Sequence, residues 1–266
     1  MQNKIIKNIE DQGFAIIKSF LNQKEINFFL NKINQLDKKT KIQFKGVPKR
    51  DVNDKIVYNL QNKNYNFIKL LSKKIILNIA KHFLNDKYYY FLSKDVPNFN
   101  ILYYNARSSG KKLDLHIDSH IPFKGKRTFM MQFMFLLEDS SENNGCTVVV
   151  PKSHKSGNYT NRKTKKLKKL IGKAGDVIIW DSRLWHGTLE NKSKESRWAL
   201  VCTLGMWWVK PMMNMTMSLP NSIYKKCNKV EKQLLGFCSI PPKEEKERIN
   251  TKTGYDFLKK SINQYY

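Results

Sequence analysis

The spacing of hydrophobic positions changes period along the chain. Near the start, Phe14-Ala-Ile-Ile-Lys-Ser-Phe-Leu21 is a short apolar run that reads as a strand. Asn22, with Glu25 three positions later, then marks a helix start of capping-box type, and Ile26, Phe29, Leu30, Ile33 and Leu36 keep helical spacing after it. Phe67, Leu70, Leu71, Ile75, Ile76, Ile79 and Phe83 fall on one broad stripe, which predicts a second helix. From residue 97 onward the pattern turns to short strands broken by turn residues: Ile101–Tyr104, Phe129–Leu137, Thr147–Val150, Asp176–Trp180 and Trp198–Leu204. Asn144-Gly145 is a hairpin turn signal between two of them. The fold class this predicts is α+β with a mainly β core, a double-sheet jelly roll with flanking helices. One domain spans residues 1–266: an α-rich flank over 1–96, the jelly-roll core over 97–210, and a C-terminal covering segment over 211–266. That last segment carries Pro211, Pro220, Pro241 and Pro242 and reads as irregular, followed by a charged helix.

Composition bounds this picture without redirecting it. A chain of 266 residues with 41% hydrophobic positions has ample material for a core. Cys146, Cys202, Cys227 and Cys238 show no CxxC pairing, so neither a zinc ribbon nor a disulfide framework is suggested and a reducing, cytoplasmic setting is expected. The start lacks a long apolar segment, and the most apolar stretch, Phe129–Leu137, is interrupted by Gln132 and too short to cross a bilayer. The net charge of +27 could attract nucleic acid. It comes mostly from lysine spread along the whole chain beside abundant asparagine and isoleucine, the imprint of AT-rich codon usage. The densest run, Asn161–Leu170, lacks the interleaved aromatics of a single-strand-binding platform and reads as a solvated face.

Candidate chemistry begins in Leu113-Asp-Leu-His-Ile-Asp-Ser-His120. On a strand, His116 and Asp118, two apart, project to the same side, so an imidazole nitrogen and a carboxylate oxygen can reach one ion. In Ala174-Gly-Asp-Val-Ile-Ile-Trp-Asp-Ser-Arg-Leu-Trp-His-Gly-Thr188, a glycine-led apolar strand delivers His186. Two histidines and one carboxylate leave an open face on the metal, the donor set of non-haem iron(II) oxygen chemistry rather than of structural zinc. Arg197 lies among apolar residues eleven positions after His186. If the strands around the Glu190–Glu195 turn pair so that Thr188 faces Arg197, then His186 faces Ala199 and all four share one face of a hairpin. A diacid chelating iron through its 2-oxo acid end, 2-oxoglutarate, needs such a guanidinium for its far carboxylate. Fe(II), 2-oxoglutarate and O2 are therefore the expected cofactor and co-substrates.

These residues, taken in order, resemble the phytanoyl-CoA dioxygenase family of cupin-like oxygenases. The resemblance rests on Gly13-Phe-Ala-Ile-Ile-Lys-Ser-Phe, His116-Ile-Asp118, Glu142-Asn-Asn-Gly-Cys-Thr-Val-Val-Val-Pro-Lys-Ser-His-Lys155, the Gly175-Asp176 strand ending in His186, then Asn191, Arg197 and Leu234-Leu-Gly-Phe237. It implies iron held by His116, Asp118 and His186, and the distal carboxylate of 2-oxoglutarate held by Arg197 and Thr188. Lys152 departs from the family's usual glycine. Related halogenases have a small residue at the position of Asp118, so a carboxylate there points to hydroxylation of an aliphatic C–H in a small-molecule substrate. His120, Tyr103, Gln132 and Trp207 are the candidate substrate contacts; Asn105, Phe133 and Phe135 also lie on strands that could line the pocket. Trp207, Trp208 and the Met212–Met217 run could close over an apolar ligand. His154 is a competing ligand candidate that in the family shapes a loop near the pocket, and His82 reads as structural. Two rival functions are oxidative demethylation of nucleic acid and ligand binding without catalysis. Alkylation-repair oxygenases carry a second arginine six residues beyond the first, where this chain has Thr203, and an intact His116, Asp118, His186 and Arg197 set argues against a decayed site.

Overall fold

The computed structural model describes residues 1–39, 55–85, 97–108, 110–161, 163–193 and 195–240. The strands are β1 (Phe14–Ile17), β2 (Lys55–Val57), β3 (Phe99–Ser108), β4 (Leu113–His116), β5 (Met130–Leu136), β6 (Thr147–Val149), β7 (Lys168–Leu170), β8 (Val177–Asp181), β9 (His186–Thr188) and β10 (Ala199–Met206). They form a six-stranded sheet in the order β1-β8-β5-β10-β3-β2 and a four-stranded sheet in the order β4-β9-β6-β7. This is the expected double-stranded β-helix, with mainly antiparallel pairing. The chain divides into two compact units, Met1–Tyr58 with Asn105–Cys202, and Asn59–Tyr104 with Thr203–Tyr266.

The first unit holds α1 (Gln2–Gln12) and α2 (Gln23–Lys39) and most of both sheets. Gly13 ends α1 in the left-handed region at φ 89° and turns the chain into β1. Asn22 and Glu25 cap the next helix reciprocally: Glu25 N–H donates to Asn22 Oδ1 at 3.0 Å and Asn22 N–H to Glu25 Oε2 at 3.2 Å. The core lies between the sheets. Phe14, Met134, Ile178, Trp180 and Ala199 from the large sheet pack with Val149 and Leu170 from the small one. Phe135, one position out of phase with Met134, packs instead against Phe20 with ring centroids 5.9 Å apart. Phe133 shares that face, so strand alternation removes both phenylalanines from the pocket lining.

The second unit contains α3 (Tyr65–Leu71), α4 (Lys74–Leu84) and three short helices, α5 (Met215–Ser218), α6 (Asn221–Tyr224) and α7 (Lys229–Leu234). The single helix expected from the Phe67–Phe83 stripe is thus two, broken at Ser72 and Lys73. Ser72 spends its hydroxyl on the Lys69 carbonyl and on the Glu231 carboxylate, at 3.1 and 2.9 Å, in place of continuing the helix. Asn228 and Glu231 form a second capping box at the start of α7. Among the described residues no helix is long and apolar enough to cross a membrane. The lysines at 163, 165, 166, 168 and 169 are exposed, as a solvated face requires. The charged C-terminal helix, with Pro241 and Pro242, lies outside the described residues, as does Arg162 of the lysine-rich run.

Candidate metal centre

The Asn144-Gly145 turn forms, with Gly145 at φ 85°, but it connects β5 to β6 and so passes between sheets rather than closing a hairpin. The same correction applies to the segment that carries His186. β9 pairs with β4 and β6 in the small sheet while β10 belongs to the large one, so the chain from Thr188 to Arg197 crosses between sheets. The polar bends at Asn191 and Ser193, where the Asn191 side chain accepts from Ser193 N–H at 2.9 Å, favour that crossing over a tight two-strand turn.

His116 and His186 stand directly opposite each other on β4 and β9, and Val149 of β6 stands opposite His186 on the other side. Because Val149 faces the inter-sheet core, its partner His186 does too, with its ring 5.2 Å from that of Trp180. Asp118 does not arrive by strand alternation: β4 ends at His116. Asp118 sits in the following loop, where its own N–H and that of Ser119 both donate to the Ser182 carbonyl, at 2.8 and 3.1 Å. His116, Asp118 and His186 each offer one ligand atom, all within 4.8 Å of one another. His116 Nε2 is 3.6 Å from Asp118 Oδ1 and His186 Nε2 is 3.2 Å from Asp118 Oδ2. Each imidazole places Nδ1 2.9 Å from a carbonyl two residues upstream, Asp114 O and Leu184 O respectively. With Nδ1–H held by a carbonyl, each Nε2 faces Asp118: protonated, it donates towards the carboxylate, and deprotonated, it leaves its lone pair for a metal ion.

The electrostatics match. Burial alone would raise the Asp118 carboxyl, yet the charge of His186 and hydrogen bonds from both imidazoles hold it well below the usual carboxylate range. Burial would lower His116, but its hydrogen bonds to Asp118 and Asp114 lift it above its ordinary value, against the opposing charge of Arg107. The side chains are 35% exposed at His116, 18% at Asp118 and 7% at His186, so the cluster opens on the His116 side.

Arg197 precedes β10 in phase with Ala199 and Val201, both of which pack in the inter-sheet core. The hairpin was wrong, but the shared interior is real. Arg197 is 4% exposed, its Nε is buried without a hydrogen-bond acceptor, and no carboxylate pairs with it among the described residues. Burial lowers its pKa, offset only by the thiol of Cys146. A guanidinium taken out of water without a counter-ion is costly, so this position suits an incoming anion. Thr188 is half-buried, and its hydroxyl accepts from Leu113 N–H at 3.2 Å.

The other candidates separate. Gln132 is fully buried on β5 opposite Trp180, hence on the core face. His120 is exposed, adopts φ 60°, and its carbonyl accepts from the Tyr159 hydroxyl at 3.4 Å. His154 stands outside the ligand cluster; its Nε2 lies 3.2 Å from the Glu10 carbonyl, and a Cβ on Gly13 would come within 2.6 Å of its Nδ1. It is a packing residue against the turn after α1. Tyr103 and Trp207 lie in the second unit, where Trp207, Asn100, Met213 and Leu235 help line a cavity of about 540 Å3. Sequence reasoning missed Trp180, although the indole is at an inward position of β8 that alternation could have flagged.

Residues 9–199 match the family described as Phytanoyl-CoA dioxygenase (PhyH). The chain is 25% identical over 177 residues to Dioxygenase af480 of Aspergillus fumigatus, a match covering 64% of this chain and 55% of that protein. It thus spans little more than half of that curated relative. Among solved structures, HygX from Streptomyces hygroscopicus with nickel and 2-oxoglutarate bound superposes with a TM-score of 0.63 at 16% identity, covering 80% of this chain and 90% of HygX. HygX is also known with hygromycin B bound. The carbocyclase SnoK from nogalamycin biosynthesis gives 0.58 at 14% identity, covering 77% of this chain and 84% of SnoK.

Proposed function

Since this chain belongs to the phytanoyl-CoA dioxygenase family, we propose that it is an Fe(II)- and 2-oxoglutarate-dependent oxygenase that hydroxylates an aliphatic C–H of a small molecule. The balance is R–H + O2 + 2-oxoglutarate → R–OH + succinate + CO2. Bound iron supplies the activation of dioxygen. The protein's own part is positional. His116 and His186 present Nε2 because the Asp114 and Leu184 carbonyls hold Nδ1. Asp118 completes a three-ligand face and, by filling a position, favours return of oxygen to the substrate over delivery of another group. Arg197 takes the far carboxylate of 2-oxoglutarate, with Thr188 beside it.

The observation that carries this reading is the buried, acid-free Arg197 facing the same interior as the His-Asp-His cluster. The related fold of SnoK serves a carbocyclase, so the fold alone does not choose the outcome. The test supplies iron, 2-oxoglutarate and oxygen, with an anaerobic control, and follows succinate. Succinate formation that requires oxygen and disappears in His186→Ala supports the reading. No succinate with any candidate substrate, and none uncoupled, would overturn it. Mass spectrometry then separates hydroxylation, a gain of one oxygen atom, from loss of two hydrogens by ring closure or no mass change by epimerisation.

A further inference from the structure

The segment that carries Asp118 has no core of its own. No residue from Ile117 to Arg127 is buried, and Ile121 is 67% exposed. Both ends of this loop nevertheless meet one residue just after β8. Ser182 accepts on its carbonyl from the Asp118 and Ser119 N–H groups, at 2.8 and 3.1 Å, and donates its own N–H to the Met130 carbonyl at 3.2 Å. Ser182 lies in a turn closed by Leu184 N–H on the Asp181 carbonyl at 2.8 Å, and the Leu184 carbonyl is the one that faces His186 Nδ1 at 2.9 Å. Two carbonyls of one turn thus hold two of the three proposed ligands.

Between those carbonyls stands Arg183. Its side chain and that of Asp181 are each 4% exposed. Arg183 Nε and Nη2 donate to the two carboxylate oxygens of Asp181 at 3.0 and 2.7 Å, and Oδ1 also accepts from Arg183 N–H at 2.9 Å, so the pair fixes the turn. Nη1 reaches out of the turn and donates to the Gly125 carbonyl at 2.9 Å, in the middle of the Asp118 loop. The guanidinium lies 4.6 Å from the ring centroid of Phe123, which in turn stacks on Phe129 at 4.4 Å. A buried ion pair adds little net stability once its desolvation is counted. What this one adds is a fixed distance between turn and loop.

We infer that Arg183, locked by Asp181, is a positioning residue: it fixes Asp118 against His186 by tying the middle of the Asp118 loop to the turn behind both side chains. The inference rests on the oxygenase reading, in which those side chains are metal ligands. Without the tie the loop hangs from its two ends at Ser182, and the Asp118 carboxylate loses its fixed approach to His186 Nε2, 3.2 Å in this structure.

Arg183→Ala leaves the Asp181 carboxylate buried and unpaired, so a loss there reads only folding. The test therefore uses the double variant Asp181→Asn/Arg183→Met, which removes both charges, keeps a side-chain oxygen for the backbone N–H of residue 183 and loses the bond to Gly125. Arg183→Lys keeps the charge pair but has no fork to reach two partners, and it carries the test if the double variant does not fold. Co(II) is titrated into metal-free protein and followed by its visible ligand-field absorption, alongside amide hydrogen exchange. Without metal the double variant should melt close to the wild type, yet bind Co(II) about tenfold or more weakly and with an altered spectrum, Arg183→Lys falling between. The Asp118 and Ser119 amides should exchange faster while those of β5 and β8 keep their wild-type rates. The inference is overturned if the folded variants keep wild-type Co(II) affinity and spectrum, or if the β5 and β8 amides accelerate in step with the loop, which marks a general loss of stability. A wild type that binds no Co(II) would overturn the oxygenase reading and the inference together, and the wild-type titration alone tells the two failures apart.

Discussion

Arg197 gives two measurements of opposite sign. Replacing it with methionine removes a buried charge that no acid compensates, so the ligand-free protein should gain about 1 kcal/mol or more in stability. The same change should weaken 2-oxoglutarate about 100-fold. Thermal melts with and without 2-oxoglutarate read both, and a variant destabilised without ligand would show that Arg197 is structural. Lys152 is a second case. It holds φ 68°, a left-handed conformation that costs a residue bearing Cβ, so Lys152→Gly should stabilise by about 0.5–1 kcal/mol in chemical denaturation. The departure from the family's glycine was legible in the sequence, but its meaning needed the backbone angle. At the cluster itself, His116 is raised, so in the metal-free protein its contribution is full below the ordinary value of 6.5 and is lost as pH rises through the raised one. Asp118 is depressed; its contribution is present above the ordinary carboxylate value of 3.8 and lost as pH falls towards its folded value. The metal-free fold should therefore be most stable under mildly acidic conditions. Metal must displace the His116 proton, so affinity should rise about tenfold per pH unit up to the raised His116 pKa and then level off. Competition titrations across pH check this, and a flat profile would contradict it.

At the scale of elements, β9 is only three residues long yet sets the site, because it is paired on both sides. Its central Gly187 lies against the Leu113 carbonyl of β4, so an added Cβ meets backbone that cannot swing away. Gly187→Ala should cost about 1–3 kcal/mol and spread the two histidines, seen as lost metal binding together with a lower melting temperature. Retained metal affinity at full stability would mean that β4 can shift freely. β3, β5, β6, β8 and β10 were legible because their alternation and turn residues are local signals, whereas β7 lies inside the lysine-rich run, which reads as a solvated face. Pairing partners were not. The short distance from Thr188 to Arg197 favoured a hairpin, and only the competition among β4, β6 and β10 for the edges of β9 decided otherwise. The Phe67–Phe83 stripe likewise ran through a break that Ser72 makes with its side chain.

For the whole molecule, neither compact unit is contiguous in sequence: the division passes through β3 between Tyr104 and Asn105 and through β10 between Cys202 and Thr203. Strands that belong to both units tie their unfolding together. We expect one cooperative calorimetric transition across the chain, and two resolved peaks would contradict a single domain. This division was invisible in the sequence because strand periodicity runs through it unchanged. The lysine excess was legible but uninformative, since the described lysines of the run near β7 are exposed to solvent.

The packing of Trp180 against His186 gives the protein a built-in optical gauge. An indole with ring centroid 5.2 Å from the His186 imidazole should emit next to whatever occupies the proposed centre. Of the five tryptophans, this one sits in the inter-sheet core against a proposed ligand. Paramagnetic ions should dim its emission as they bind, so occupancy can be followed without turnover, on an unlabelled sample, and before any substrate is known. Trp180→Phe should erase that response while the other four indoles continue to fluoresce.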